Sequence, residues 1–278
     1  MIIGVAGLGL IGGSLAKSIK NRTQHTVFGT DRDAETMMFA RMSGSIDAVL
    51  DENNIGKCDV LLVALRPGTA VEWVSSNAQL IKKDAILVDM CGVKRSVCEK
   101  LAPIAKENGF YYIGGHPMAG KERGGFVNSD SALFVGSSMI LTPDENTDLP
   151  MLETLKALFI DMGFANLTFT SPEQHDIRIA FTSQLAHVIS SAYVKSPEAL
   201  EHRGFSAGSF NDMTRVARLD EDMWTELFLK NADNLSEQIG ILIENLSEYK
   251  NAIDSKDADE LKKLLKDGRE RKAMAGGC

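Results

Sequence analysis

A glycine-rich run near the amino terminus limits the folds open to this chain more than any other feature. The run Gly7-Leu8-Gly9-Leu10-Ile11-Gly12 fits the pattern G-x-G-x-x-G and directly follows the apolar stretch Ile2–Ala6. In a strand–turn–helix unit such glycines allow a tight turn, a close approach of the backbone to a pyrophosphate, and close packing of helix on strand. The N–H groups that open the helix then bind the phosphates. The sequence therefore predicts a dinucleotide site formed by Gly7, Gly9, Leu10, Ile11 and Gly12.

The segments that follow support this prediction, which a glycine run alone would support only weakly. A helical stretch comes next, and a second apolar stretch, Thr26–Thr30, ends in Asp31, nineteen positions after Gly12. An acid there accepts hydrogen bonds from the adenosine ribose and favours NAD, whereas Arg32 suits the 2′-phosphate of NADP. We therefore expect NAD and keep NADP as the alternative. Further lining of this crevice is expected from the ends of later strands, at Leu65, Arg66 and Cys91.

The rhythm of apolar and helical segments predicts the fold class. Short apolar runs alternate with helical stretches up to about Pro172, which is typical of βαβ units and a doubly wound parallel sheet. Strand signals then stop. We expect a Rossmann-type α/β domain over residues 1–165 and an all-helical domain over residues 166–278. The predicted strands are Ile2–Ala6, Thr26–Thr30, Val60–Ala64, Ala85–Asp89, Tyr111–Gly114, Ser138–Thr142 and Asn166–Thr170, and the later helices are Glu173–Val194, Glu221–Ile253 and Asp257–Lys272.

An apolar stripe follows one side of the long predicted helix Glu221–Ile253. Spacings of three, four and seven residues place its members on a single face. Such a stripe must be buried by other helices, from this chain or from a second copy, so the helical domain is expected to form a homodimer. The members of the stripe are Trp224, Phe228, Leu235, Ile239, Leu242, Leu246, Tyr249 and Ile253.

Composition excludes several classes of partner. The net charge of −8 argues against a nucleic acid, which is bound by clusters of Lys and Arg. No apolar window approaches the ~18 residues of a membrane-spanning helix, so no membrane partner is expected. The four cysteines, Cys58, Cys91, Cys98 and Cys278, show no zinc-ligand spacing. We therefore expect no metal and a reducing, cytoplasmic setting.

A histidine in a glycine- and proline-containing segment is the main candidate for chemistry. His116 lies in Gly114-Gly115-His116-Pro117-Met118-Ala119-Gly120, which is typical of a loop after a short strand. This position would bring His116 to the carboxyl end of the strand, near a bound nicotinamide. Histidine is the side chain that exchanges a proton most readily near neutral pH. A loop histidine alone is more often structural, so the neighbouring motifs decide.

Several segments together resemble the prephenate dehydrogenase family, and they occur in family order across nearly the whole chain. The histidine segment and the Asp-Met-Thr-Arg segment are far more specific than the glycine run. The related arogenate dehydrogenases share this architecture and stay an alternative. The matching segments are Gly7–Ser14, Asp89–Lys94, Gly115–Gly120, Ser171–Asp176, Ser183–His187 and Asp212–Ala217.

The resemblance implies an NAD(P)-dependent oxidative decarboxylation of prephenate, a small dicarboxylate, to 4-hydroxyphenylpyruvate in tyrosine biosynthesis. By analogy His116 accepts a hydrogen bond from the ring hydroxyl and assists loss of its proton, which eases departure of the hydride. Arg215 matches the family arginine that grips a carboxylate, a task that suits a guanidinium fork. His187 matches a histidine on the substrate side, with packing in the core as the other possibility.

Other substrate contacts are expected from Lys94, Gln184 and Glu122, although each could also be structural. Lys94 follows a strand end, Gln184 lies one helical turn before His187, and Glu122 follows the histidine segment. Many relatives carry a serine hydroxyl close to the catalytic histidine, where this chain has Cys91-Gly92.

A second pair in the matching segments, His175-Asp176, lies at the start of the predicted helix Glu173–Val194. That position suggests capping and packing between domains more than chemistry.

Three other classes of protein remain possible. β-Hydroxyacid dehydrogenases and pyrroline carboxylate reductases pair the same kinds of domain but lack the His-Pro-Met-Ala-Gly segment. A non-catalytic nucleotide-binding protein is the third option, and the presence of both His116 and Arg215 argues against it. We expect a monofunctional short form without a fused mutase or regulatory domain, in which any inhibition by tyrosine is competitive.

Overall fold

The computed structural model of the chain describes residues 1–145 and 147–276. They fall into two compact units, Met1–Asn231 and Ala232–Cys278. Cys58, Cys91 and Cys98 are free thiols, and Cys278 lies outside the described residues. None of the described helices is both long enough and apolar enough to cross a membrane.

The first unit is built on one sheet of eight strands in the order β3-β2-β1-β4-β5-β6-β7-β8. All neighbours are parallel except β6 and β7. The order reverses between β1 and β4, and in such sheets ligands bind beside this point at the carboxyl ends of the strands. The predicted doubly wound α/β fold is confirmed. The strands are β1 (Ile2–Ala6), β2 (Thr26–Thr30), β3 (Ala48–Val49), β4 (Val60–Val63), β5 (Ile86–Asp89), β6 (Tyr111–Pro117), β7 (Ser138–Thr142) and β8 (Asn166–Phe169).

Helices cover both faces of this sheet, so the central strands are buried on both sides. In β4, Val60 and Leu62 pack into one apolar cluster, whereas Leu61 and Val63 pack into another. This is why the strand is continuously apolar rather than alternating. The helices are α1 (Leu10–Arg22), α2 (Ala34–Met42), α3 (Pro67–Asn77), α4 (Arg95–Asn108), α5 (Leu149–Asp161), α6 (Pro172–Ile179), α7 (Ala186–Tyr193), α8 (Gly208–Thr214), α9 (Glu221–Leu229), α10 (Ala232–Asp254) and α11 (Ala258–Ala275).

The sheet departs from the all-parallel prediction at its far edge. Parallel neighbours need a crossover, usually a helix, but residues 118–137 contain only the short 3₁₀ turn Phe126–Asn128. The chain therefore returns antiparallel, and His116 pairs with Ile140 of β7. The expectation that His116 lies in a loop is wrong, because β6 runs on to Pro117. A two-residue strand, β3, was also not predicted.

The helical part begins later and is more broken than the sequence suggests. β8 keeps residues 166–169 in the sheet, so helix begins at Pro172; a functional division at residues 165/166 stays a prediction. The predicted helix Glu173–Val194 contains a π-helical turn, Ala180–Leu185. The predicted helix Glu221–Ile253 is two helices, because the Asn231 N–H bonds the carbonyl of Phe228 and ends α9.

The second unit consists of α10 and α11. Asp257 caps α11 by accepting a hydrogen bond from the Glu260 N–H, and Lys256 before it adopts a positive φ of 57°. The Tyr249 hydroxyl donates to the Leu264 carbonyl at 3.1 Å and joins the two helices.

Candidate active site

The three glycines of the amino-terminal run have three distinct surroundings. Gly7 has φ +82°, and a Cβ there would lie 2.5 Å from the Ala64 carbonyl oxygen. A Cβ on Gly12 would lie 1.7 Å from the Gly7 carbonyl oxygen, so α1 packs against the turn too closely for any side chain. Around Gly9 no atom lies within 4 Å of the Cβ position. Gly7 and Gly12 shape the turn, whereas Gly9 leaves open space beside the backbone.

The amino terminus of α1 is open to an anion. Gly9 is its N-cap and has no side chain to occupy the first N–H groups, and the first turn, which contains Leu10 and Ile11, carries no acid. At the end of β2, Asp31 Oδ2 accepts from the Leu8 N–H at 2.7 Å. Asp31 thus holds the glycine turn, and its carboxylate retains lone pairs for a ribose hydroxyl. Arg32 beside it is exposed.

The other side of the crevice contains the ends of β4 and β5. The Cys91 thiol contacts the Leu65 carbonyl oxygen at 3.5 Å, and burial raises the pKa of this thiol well above its usual value. Cys91 is therefore a neutral lining group rather than a nucleophile. Arg66 is exposed and pairs with Asp220 at 3.2 Å. In the described part of the chain, no group of three or more His, Cys, Asp or Glu side chains could hold a metal ion.

His116 lies at the same edge of the sheet as the glycine turn. β6 is parallel to β5, with Gly114 paired to Asp89, and His116 follows two residues later, beyond the end of β5. Burial, then the neighbouring His175 and Lys94, hold the pKa of the His116 imidazole well below its usual value. The side chain is therefore neutral near pH 7 and able to accept a proton.

A second histidine, in the pair expected to serve capping and packing more than chemistry, contacts His116 directly. His116 Nδ1 and His175 Nε2 are 2.9 Å apart, and His175 Nδ1 lies 2.7 Å from Asp176 Oδ1. His175 and Asp176 are buried. The cap of α6 is Ser171, whose hydroxyl accepts from the Gln174 N–H, so the pair does not cap its own helix. Membership in a matching segment was the only sequence signal for this pair.

Lys94 is placed differently from the expected substrate contact. Its side chain is fully buried, forms an ion pair with Asp89, and donates to the Gly115 carbonyl at 2.6 Å. Asp89 also accepts from the Tyr112 hydroxyl at 2.7 Å. Lys94 begins α4 and turns inward because the buried Asp89 carboxylate needs a partner. Its ammonium holds the backbone next to His116 instead of facing the cleft.

Gln184 is likewise occupied by the protein. It is buried, its Nε2 donates to the Leu227 carbonyl at 3.2 Å, and its Oε1 accepts from Asn231 Nδ2 at 2.8 Å. Asn231 also donates to the Asp176 carbonyl. The π-helical turn thus directs Gln184 toward α9, and both ends of its amide are used in packing rather than left for a substrate.

Three further predicted residues lie near one another on the exposed side. Arg215 ends α8 and pairs with Glu122 at 3.0 Å, with both side chains half or more exposed. His187 Nδ1 donates to the Ser183 carbonyl at 2.8 Å, and its ring lies 4.0 Å from that of Trp224. Burial lowers the pKa of His187, and the positive charge of Arg215 lowers it further. A cationic fork and a neutral imidazole are therefore available together.

Gly92, in the Cys91-Gly92 stretch that lacks the family's serine hydroxyl, lies beside His116. A Cβ on Gly92 would lie 3.9 Å from His116 Nε2 and 3.4 Å from the Leu227 side chain. His116 Nε2 thus faces a residue without a side chain, whereas Nδ1 faces His175.

Comparison with known proteins identifies the family. Residues 15–166 match the family model for the prephenate dehydrogenase nucleotide-binding domain, and residues 171–267 match that for the prephenate dehydrogenase dimerization domain. The chain belongs to the prephenate dehydrogenase family. The resemblance expected from the sequence is confirmed, and so is the expectation of an oxidoreductase.

Individual relatives agree over nearly the full length. Cyclohexadienyl dehydrogenase of Zymomonas mobilis is 30% identical over 276 residues, 96% of this chain and 93% of that protein. The structure of Aquifex aeolicus prephenate dehydrogenase with hydroxyphenyl propionate and NAD+ is similar, with TM-score 0.87, 28% identity and coverage of 99% and 98% of the two chains. Synechocystis arogenate dehydrogenase gives TM-score 0.83 at 25% identity, covering 99% of this chain and 100% of that one.

Proposed function

We propose that this member of the prephenate dehydrogenase family catalyses the NAD-dependent oxidative decarboxylation of prephenate to 4-hydroxyphenylpyruvate. The observation that carries the proposal is His116, an imidazole kept neutral by burial at the sheet edge that also holds the glycine turn. A base is needed there because the ring hydroxyl must lose its proton as hydride leaves the carbon that carries it.

The residues present fit NAD. The open amino terminus of α1 and the bare Gly9 backbone suit the pyrophosphate, and the Asp31 carboxylate suits the adenosine ribose. When bound, NAD supplies the acceptor for the hydride. The exposed Arg32 keeps NADP as an alternative.

His116 moves the proton and the other residues hold the substrate. Its Nε2 takes the hydroxyl proton, and it can return this proton to the ring oxygen when carbon dioxide departs and the ring becomes aromatic. Arg215 binds a substrate carboxylate after exchanging the exposed carboxylate of Glu122, a weak partner. Glu122 then acts at the entrance rather than on the substrate. Lys94 and Gln184, both buried and hydrogen-bonded within the protein, are assigned to support of the site instead of substrate contact.

One observation favours arogenate as a second candidate substrate. Because His187 Nδ1 donates to Ser183, the neutral ring carries a lone pair on Nε2. That nitrogen accepts a hydrogen bond from the ammonium group of arogenate more readily than it binds the keto group of prephenate.

The test is a coupled measurement with both substrates and both cofactors. Purified enzyme is expected to form NADH with prephenate, with a lower KM for NAD than for NADP. His116→Asn should lower kcat by about 100- to 10,000-fold with little change in KM. His202→Asn is the matched control, because His202 lies outside the matching segments, where its ring hydrogen-bonds Ser206 and stacks on Phe210. A fully active His116→Asn enzyme contradicts the proposal, and a larger kcat/KM with arogenate transfers it to the second candidate.

We also infer a homodimer formed through the helical part. The match of residues 171–267 to a dimerization domain supports it, as do exposed apolar side chains such as Leu246 and Ile253. Light scattering should give twice the chain mass, and a monomer at micromolar concentration would contradict this. The cytoplasmic setting stays a prediction that the free thiols favour.

A further inference from the structure

We propose that His175 is a positioning residue that, with Asp176, fixes which nitrogen of His116 carries the proton. The inference deepens the proposed function and rests on it for its catalytic meaning. The three side chains form one hydrogen-bonded chain, with His116 Nδ1 at 2.9 Å from His175 Nε2 and His175 Nδ1 at 2.7 Å from Asp176 Oδ1. The position of each hydrogen in this series of hydrogen bonds is determined by its far end, Asp176.

Asp176 is the fixed end of the chain because it is an anion. It accepts from the N–H groups of Lys94 at 2.7 Å and Arg95 at 3.0 Å, the residues that open α4, and the Arg95 guanidinium lies 3.4 Å away. Burial raises the pKa of the Asp176 carboxyl, but the hydrogen bonds from His175 and these N–H groups outweigh it and bring the pKa below its usual value. An ionised carboxylate accepts and cannot donate.

His175 must therefore donate from Nδ1 to Asp176. Burial is the largest influence on the pKa of His175 and lowers it, so the ring stays neutral despite the adjacent carboxylate. A neutral imidazole with hydrogen on Nδ1 has a lone pair on Nε2. The nitrogen that faces His116 is thus an acceptor.

His116 is then left with only one arrangement. Its Nδ1 must donate to His175, so the lone pair is on Nε2, the nitrogen beside Gly92. That nitrogen can accept the proton of a substrate hydroxyl, whereas a ring with hydrogen on Nε2 could not. Asp176 also stabilises the imidazolium that forms when His116 is protonated, as an orienting carboxylate does in hydrolase triads.

The experiment reads the tautomer and the rate separately. In nitrogen NMR of enzyme with isotope-labelled histidines, His116 is expected to show a protonated Nδ1 and an unprotonated Nε2. In His175→Phe the Nδ1 partner is lost, so His116 should populate both tautomers, and kcat with prephenate should fall by about 10- to 100-fold while KM changes less than about 3-fold. His175→Gln returns an acceptor oxygen near the Nε2 position and should restore kcat to within about 5-fold.

A control and two contrary results complete the test. His25→Gln, at a half-buried histidine whose Nδ1 lies 3.3 Å from the amino-terminal nitrogen, should leave the His116 signals and kcat unchanged. The proposal is overturned if the unmodified protein carries hydrogen on His116 Nε2, or if His175→Phe retains both the tautomer and the rate. Since the tautomer is read without turnover, failure to oxidise prephenate would defeat the proposed function but not this assignment.

Discussion

The glycine turn lies along the same sheet edge as the His116 cluster, which consists of Asp89, Lys94, His116, His175 and Asp176. The two regions are built in opposite ways. The turn uses the backbone of six consecutive residues, Gly7 to Gly12, and one side chain, Asp31, from the next strand. The cluster joins side chains from β5, β6, α6 and Lys94, the residue before α4, which are up to 87 positions apart in the chain, from Asp89 to Asp176. The turn is determined by local geometry, whereas the cluster exists only once the fold has formed.

This difference has an energetic side. A side chain added in the turn would overlap backbone carbonyl oxygens, and no neighbouring atom can move to relieve the overlap. Removing one member of the cluster leaves another buried polar group without its partner, which costs more than the lost hydrogen bond itself. The two regions should therefore respond differently to substitution.

The largest effect is expected at Gly12. In Gly12→Ala the new methyl group would lie 1.7 Å from the Gly7 carbonyl oxygen, so the turn must open. We expect KM for NAD to rise more than about 100-fold together with a lower free energy of unfolding. Gly9→Ala is the matched variant, because its methyl group meets only open space: stability should hold while KM for NAD rises about 10-fold. Equal changes in KM for NAD and in stability in the two variants would refute the distinct roles of Gly12 and Gly9.

Within the cluster the largest effect is expected on stability. Lys94→Met leaves the buried Asp89 carboxylate without its ion-pair partner, which should lower the free energy of unfolding by about 3–5 kcal/mol in urea titrations. Lys82→Met breaks the exposed pair with Asp59 and should lower the free energy of unfolding far less. Equal losses in both variants would mean that the buried pair of Lys94 and Asp89 does not support the fold.

Arg215 should show the converse, an effect on binding without one on stability. A charge-assisted contact with a carboxylate is worth about 1.5–3 kcal/mol, so Arg215→Ala should raise KM for the substrate about 10- to 150-fold. Its free energy of unfolding should stay within about 1 kcal/mol, because the pair with Glu122 is exposed. Arg271→Ala, at an exposed ion-paired arginine of α11, is the control. An unchanged KM would remove Arg215 from the substrate site.

The same contrast explains what could be predicted from the sequence. The strand, turn and acid around Gly7 lie within about thirty residues, and their spacing carries the information. His116 was a candidate from its own segment and the resemblance decided its role, whereas Arg215 was found by resemblance alone. Nothing local distinguishes the inward-turned Lys94 from a surface lysine, because its partners Asp89 and Gly115 are set by strand register. The contact between His175 and His116, 59 positions apart, depends on where α6 packs.

The buried imidazoles predict the acid side of the pH profile. Burial, then the neighbouring histidine and the Lys94 ammonium, depress the pKa of His116, so kcat/KM should stay level as pH falls through about 6.5. Below that pH the unfolded chain binds protons that the folded protein does not, so stability is present above about 6.5 and decreases below it, by up to about 1.4 kcal/mol per pH unit for each such histidine. A rate that is already halved at pH 6.5 would mean that His116 is solvated.

The smallest effect is expected at Gly92, the residue without a side chain beside His116 Nε2. A Cβ there would lie 3.9 Å from His116 Nε2 and 3.4 Å from Leu227, which are ordinary contact distances, so Gly92→Ser should fold normally. Its hydroxyl would lie within reach of the lone pair on Nε2, and one neutral hydrogen bond is worth about 0.5–1.5 kcal/mol, so kcat should change by about 2- to 10-fold in either direction. Gly92→Ala, which adds the Cβ without the hydroxyl, separates crowding from hydrogen bonding. A matching change in both variants would assign the effect to space alone, and a change only in the serine variant would show that the Nε2 lone pair is the sensitive element of the cluster.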